Sequence, residues 1–72
     1  MKEKVLAILR ELFDDMTIDE TCSQKTYEKW DSMAQLNLVI ELETEFGITL
    51  EPEEIGLMTS FYDIVNILRT KI

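Results

Sequence analysis

Along the first part of the chain, apolar side chains return at the spacing of one helical face. Val5, Ile8, Leu9, Leu12 and Phe13 share that face, with Lys2, Glu3, Lys4, Arg10 and Glu11 largely off it. The pattern predicts a helix over roughly residues 2 to 15 with a core-facing stripe. From Asp14 to Asp31 the period is lost, and Asp, Thr, Ser and Lys prevail. A connection of about 15 residues is long for a small domain and more often serves a function or faces a partner than lies idle. Ile18, Tyr27 and Trp30 are the side chains expected to pin it to the helices.

After Ser32 the helical period resumes in Gln35/Leu36, Leu38/Val39, Leu42 and Phe46, and Gly47 supplies a C-terminal stop. A second helix is therefore predicted over 32 to 46, with Ile48 and Leu50 anchoring the connection that follows. Pro52 is tolerated at a first helical position, and Glu53 and Glu54 suit the positive end of a helix dipole. They predict a short helix that Gly56 keeps short, with Ile55 and Met58 buried. Ser60 and Asp63 have capping-box spacing, and Phe61, Ile64, Val65 and Leu68 form the stripe behind them. The last helix is expected over 60 to 71, with Arg69 and Lys71 at its negative end. The sum is an all-α four-helix bundle, three helices longer and one short, forming a single domain over residues 1–72.

Composition narrows the possibilities. A domain of 72 residues has one small core and buries only about 60% of its unfolded surface, which leaves few residues for a deep pocket and counts against a self-sufficient enzyme. Cys22 is the only cysteine and histidine is absent. An internal disulfide, a Cys/His zinc site and a Ser-His or Cys-His pair within the chain are thereby excluded, and Cys22 reads as a bland loop residue. No apolar run is long enough for a membrane span, and Met1 to Arg10 alternates charged with apolar residues too closely for a signal peptide. A soluble, cytoplasmic monomer is expected.

The net charge of −8 disfavours nucleic acid as a partner. Between Lys29 and Arg69 there is no Lys or Arg, while Asp31, Glu41, Glu43, Glu45, Glu51, Glu53, Glu54 and Asp63 all fall there. The excess of acid thus lies after Trp30, where it would suit a partner with a basic patch, or simply keep a solvated face. Asp14, Asp15, Asp19 and Glu20 do not make a calcium loop, because the twelfth position from Asp14 or Asp15 is Lys25 or Thr26 and no Gly stands at the turn.

The candidate chemistry lies at Trp30-Asp31-Ser32-Met33, where the loop meets the second helix. A serine in the first helical turn faces solvent beside backbone N–H groups without intrahelical partners, and a phosphate placed there meets donors and a positive dipole end. Ser32 is a candidate attachment point for a phosphate-linked group, added by another enzyme because the chain lacks a base of its own. Taken alone, the dipeptide reads equally well as a cap: Asp31 is a good N-cap, and Ser32 with Gln35 has capping-box spacing.

The wider pattern resembles the acyl carrier protein family. It runs from the long acidic loop through Trp-Asp-Ser-Met and a helix ending in Glu43-Thr44-Glu45-Phe46-Gly47-Ile48, to a short helix after Pro52 and Thr59-Ser60-Phe61 before Asp63-Ile64-Val65. The likeness covers practically the whole chain. It implies a non-catalytic carrier with a phosphopantetheine arm joined to Ser32, the arm's thiol holding an acyl or aminoacyl group as a thioester. Asp31 would be the adjacent acid recognised by a phosphopantetheinyl transferase. The docking positions on the second helix would be Met33, Asn37, Ile40, Glu41 and Thr44. The further partners implied are an acyl-loading ligase or acyltransferase and downstream synthase enzymes with basic docking patches.

Two positions depart from the family pattern. Met33 replaces the commoner Leu, and Ala34 and Asn37 are neutral where carriers of primary fatty acid synthesis show acids. These departures favour a discrete carrier of a specialised pathway, such as polyketide, peptide or glycan-modification chemistry. The alternative is a small acidic helical interaction module in which Ser32 is only a cap. A hydrolase using Ser32 as nucleophile lacks a base.

Overall fold

The computed structural model describes residues 1–72 as four α-helices with no strand. They are α1 (Lys2–Phe13), α2 (Ser32–Phe46), α3 (Pro52–Leu57) and α4 (Phe61–Lys71). The all-α bundle of three longer helices and one short one is therefore the observed architecture. No helix is long and apolar enough to cross a membrane.

Local chemistry sets each boundary. α1 stops short of residue 15 because Asp14 takes the left-handed conformation (φ 51°), which turns the chain and lets the Asp15 N–H close on the Arg10 carbonyl at 3.0 Å. Gly47 (φ 62°) ends α2 in the same conformation, without the steric penalty a side chain brings. α4 begins one residue later than 60, with Ser60 as its N-cap accepting the Asp63 N–H at 3.1 Å. The reciprocal half of that box is displaced: the Asp63 carboxylate accepts from the Thr59 N–H and hydroxyl, at 3.2 and 2.8 Å.

The core consists of sixteen buried residues, all apolar or cysteine. α1 packs against both α2 and α4. It contributes Val5, Ile8, Leu9 and Phe13; α2 contributes Leu38, Val39 and Leu42, and α4 Phe61, Ile64, Val65 and Leu68. Ile18, Trp30, Leu50 and Met58 close the core from the connections. Leu12, Phe46, Ile48 and Tyr27 are only half-buried around it, as is Ile55, so α3 buries no residue completely.

Two further expectations need correction. Leu36 is 60% exposed rather than part of the inward stripe, because it stands about 125° round the helix from the centre of the set formed by Leu38, Leu42 and Gln35. Cys22 is a core residue, 7% exposed, and not a bland one. Its carbonyl accepts the Phe61 N–H at 2.9 Å, while Gln24 N–H donates to the Thr59 carbonyl at 2.8 Å, so an isolated bridge between Ser23 and Ser60 fastens the long connection to the start of α4. The loop acids serve turns: Asp15 accepts the Thr17 N–H, and Asp19 the Thr21 N–H, each at 2.9 Å.

Candidate functional site

The candidate site is the entry to α2. Tyr27 and Trp30 lie over Phe13, with ring centroids 4.9 and 6.2 Å from it, and this aromatic cluster holds the end of the loop against α1. Tyr27 also donates its hydroxyl to Asp15 at 2.8 Å. Burial first, and then that bond, push its phenol up to about 12. Trp30 is 2% exposed, so its indole N–H requires an internal acceptor, and the Gln35 Oε1 provides it at 2.6 Å. The Gln35 amide nitrogen donates onward to the carbonyls of Ile55 and Met58, both at 3.0 Å. One side chain of α2 thereby fixes the loop end, α2 and the α3 region together.

Asp31 is the N-cap of α2: in extended conformation, it accepts the Ala34 N–H at 2.9 Å through Oδ1. Ser32 is consequently the first helical residue, exposed, with its hydroxyl outside the cap. Gln35 turns inward and takes no part in a capping box, so the arrangement with Ser32 as cap is not the one formed. Beside Ser32 lies a cleft of about 390 Å³ bounded by Gln24, Gln35, Leu36, Ile55, Met58 and Thr59.

Met33, Asn37, Ile40, Glu41 and Thr44 are all exposed on α2. Met33 and Ile40 are 69% and 59% exposed, and Leu36 lies between them, so an apolar stripe runs outward from Ser32 on the side of α2 away from the core. Leu36 is the member that periodicity misassigned.

The acidic segment divides once its contacts are known. Asp31 caps α2, Asp63 in the first turn of α4 holds Thr59 ahead of that helix, and the Glu43 carboxylate accepts the Leu50 N–H at 2.8 Å. Glu54 pairs with Lys71 at 2.7 Å and accepts the Glu51 N–H at 2.8 Å; Glu45 lies 3.9 Å from Lys4. The Lys71 hydrogen bond is the leading cause that holds the Glu54 carboxyl below its usual range. Glu41 and Glu53 have no such internal duty, and only Glu41 lies on the stripe-bearing helix. The acidity is therefore in good part structural.

Searches with this chain match no protein-family model, no curated protein and no solved structure.

Proposed function

We propose that this chain is a discrete acyl carrier, modified on Ser32 with phosphopantetheine and presenting a thioester on that arm to successive enzymes. The observation that carries the reading is the division of labour at the α2 entry. Asp31 alone caps the helix, which leaves the Ser32 hydroxyl exposed at the first helical position beside an open cleft. The residues fit the group: a phosphodiester on Ser32 would lie by the unpaired N–H groups of the first turn, and the cleft borders the first stretch of the arm. The resemblance to acyl carrier proteins around Trp30 to Met33 and Glu43 to Ile48 supports the same conclusion.

In attachment, the Ser32 oxygen displaces the nucleotide from coenzyme A. A phosphodiester forms, the anhydride bond breaks, adenosine bisphosphate leaves, and the hydroxyl proton passes to the transferase. The partners are that transferase, a loading ligase or acyltransferase, and downstream synthases with basic patches, met in the cytoplasm by a monomeric carrier. Docking uses Met33, Leu36 and Ile40 for contact, with Glu41 as the free acid, so that binding is weak and reversible.

A second reading, a helical interaction module without modification, is favoured by the same exposed stripe. Intact mass after incubation with coenzyme A and a phosphopantetheinyl transferase separates them. The carrier gains one phosphopantetheine and Ser32→Ala gains none; an unmodified wild type supports the module, and an arm retained in Ser32→Ala refutes the assignment of Ser32.

A further inference from the structure

The cleft beside Ser32 is one end of a longer groove. Gln24 and Thr59 line both it and a neighbouring space of about 460 Å³ whose other walls are Ser23, Lys25 and Ser60. The groove therefore runs from Ser32, past Gln24 and Thr59, to Lys25. Its walls are held before any cargo arrives, because Gln24 and Thr59 are joined through the backbone at the bridge of Ser23 with Ser60.

The lining is unusual for this chain. Fifteen acids stand against seven bases in the sequence, yet no carboxylate lines either part of the groove and one ammonium does. The nearest acid in the bonding pattern, Asp63, is occupied by the Thr59 N–H and hydroxyl. Beyond Ser32 the groove passes from the apolar Leu36, Ile55 and Met58 to amides, hydroxyls and Lys25.

The apolar interior is closed by contrast. Leu38, Leu42, Phe61, Ile64 and Leu68 are completely buried in contact with one another's cluster. An alkyl chain entering between α2 and α3 would have to part Gln35 from the carbonyls of Ile55 and Met58, and the Trp30 indole depends on the same side chain.

Resting on the carrier reading, we infer that the cargo is a short acyl group with a polar end, best a carboxylate, lying in the surface groove toward Lys25 and not in the core. The ammonium attracts the carboxylate, the amides and hydroxyls supply hydrogen bonds, and the apolar start of the groove receives the stem of the arm.

The test loads Ser32 of the full chain with acetyl-, succinyl- and octanoyl-phosphopantetheine by transfer from the corresponding coenzyme A thioesters, checked by intact mass. Amide resonances and Tm are then compared. The succinyl form is expected to displace the Gln24 and Thr59 resonances further than the acetyl form does. Lys25→Glu should abolish that difference while leaving modification of Ser32 intact. The octanoyl form is expected to melt within about 2 °C of the acetyl form. Sequestration in the core would instead raise Tm by about 5 °C or more for every two methylenes buried. Such a rise, or equal resonances for succinyl and acetyl forms, overturns the groove assignment and leaves the carrier reading standing. Absence of any mass gain at Ser32 overturns both.

Discussion

The indole N–H of Trp30 and the side-chain oxygen of Gln35 meet at 2.6 Å, and the other end of the same amide holds two carbonyls of the α3 region at 3.0 Å. Gln35→Ala removes all three bonds and leaves a buried indole donor without a partner. A loss of roughly 2–4 kcal/mol follows, a large share of the stability of so small a domain. Urea unfolding measures it as a lower midpoint with an unchanged slope. A loss under about 1 kcal/mol would mean that water replaces these bonds.

Asp31 has a cap role and a proposed recognition role, and two substitutions separate them. Asp31→Ala loses the bond to the Ala34 N–H and should cost about 1 kcal/mol; Asp31→Asn keeps a competent cap. The Asn variant is expected to melt near the wild type while its modification by the transferase slows by about tenfold or more. Equal modification rates for Asn and wild type would reduce Asp31 to a cap.

Asp14 and Gly47 share the left-handed conformation, at φ 51° and 62°. Only the glycine adopts it without strain, so Asp14→Gly is expected to stabilise by about 0.5–1 kcal/mol and Gly47→Ala to destabilise by about 1 kcal/mol. A Cβ at Gly47 meets nothing within 4 Å, which confines the second effect to the backbone. Chemical denaturation of the two variants, side by side, checks both signs.

Stability should fall at both ends of the pH scale. Asp15 and Asp19 are held below their usual values chiefly by the hydroxyls of Thr17 and Thr21, and Glu54 by Lys71. At Asp63, burial pushes upward, but the bonds from Thr59 and Ser60 outweigh it and the carboxyl is also lowered. For each of these the unfolded chain binds protons more readily. Their contribution is therefore complete above about pH 4 to 5 and is lost as pH falls through the folded values. Tyr27 acts in the opposite sense: its folded value is about 12 against 10.0, so its contribution is complete below pH 10 and is lost as pH rises toward 12. Thermal melts across pH should show a plateau between, and Tyr27→Phe should lack the Tyr27 part of the alkaline fall.

Glu41 is the free acid of α2, and its reversal tests the proposed docking role of that helix. Glu41→Lys is expected to slow modification of Ser32 by about threefold or more at low ionic strength, with the difference fading by about 0.5 M salt. A salt-independent ratio would assign the effect to something other than charge.

Most of the architecture was legible in the sequence because period and punctuation agree. Gly47 and the Asp31-Ser32 junction mark both ends of α2, and the stripe of Phe61, Ile64, Val65 and Leu68 marks α4. Less visible were residues whose role depends on what lies across from them. Periodicity cannot divide two apolar stripes on one helix, so Leu36 was grouped with Leu38. Gln35 is polar at a core-facing position, and only the positions of Trp30, Ile55 and Met58 reveal why. Cys22 carries no periodic signal, since its burial follows from the pairing of the loop with α4. The acids after Trp30 form a run in sequence, but contacts distribute most of them among helix ends, backbone bonds and ion pairs and leave Glu41 and Glu53 without such a partner. At the site itself, local pattern left Ser32 open between a cap and an exposed first-turn residue, which the Asp31 cap decides for the latter, whereas the groove toward Lys25 arises from segments far apart in the chain.

Because α3 buries no residue completely, its attachment depends on a few hydrogen bonds, such as those of Gln35 to the Ile55 and Met58 carbonyls and that of Lys71 to the Thr49 carbonyl just ahead of it at 2.7 Å. Native-state hydrogen exchange should therefore be graded. Amides of α1, α2 and α4 exchange through global unfolding, while those of α3 open first as a separate cooperative unit. Ser32 lies on the border of these two units: one wall of its surroundings is as durable as the whole domain, and the other can yield while α2 stays folded.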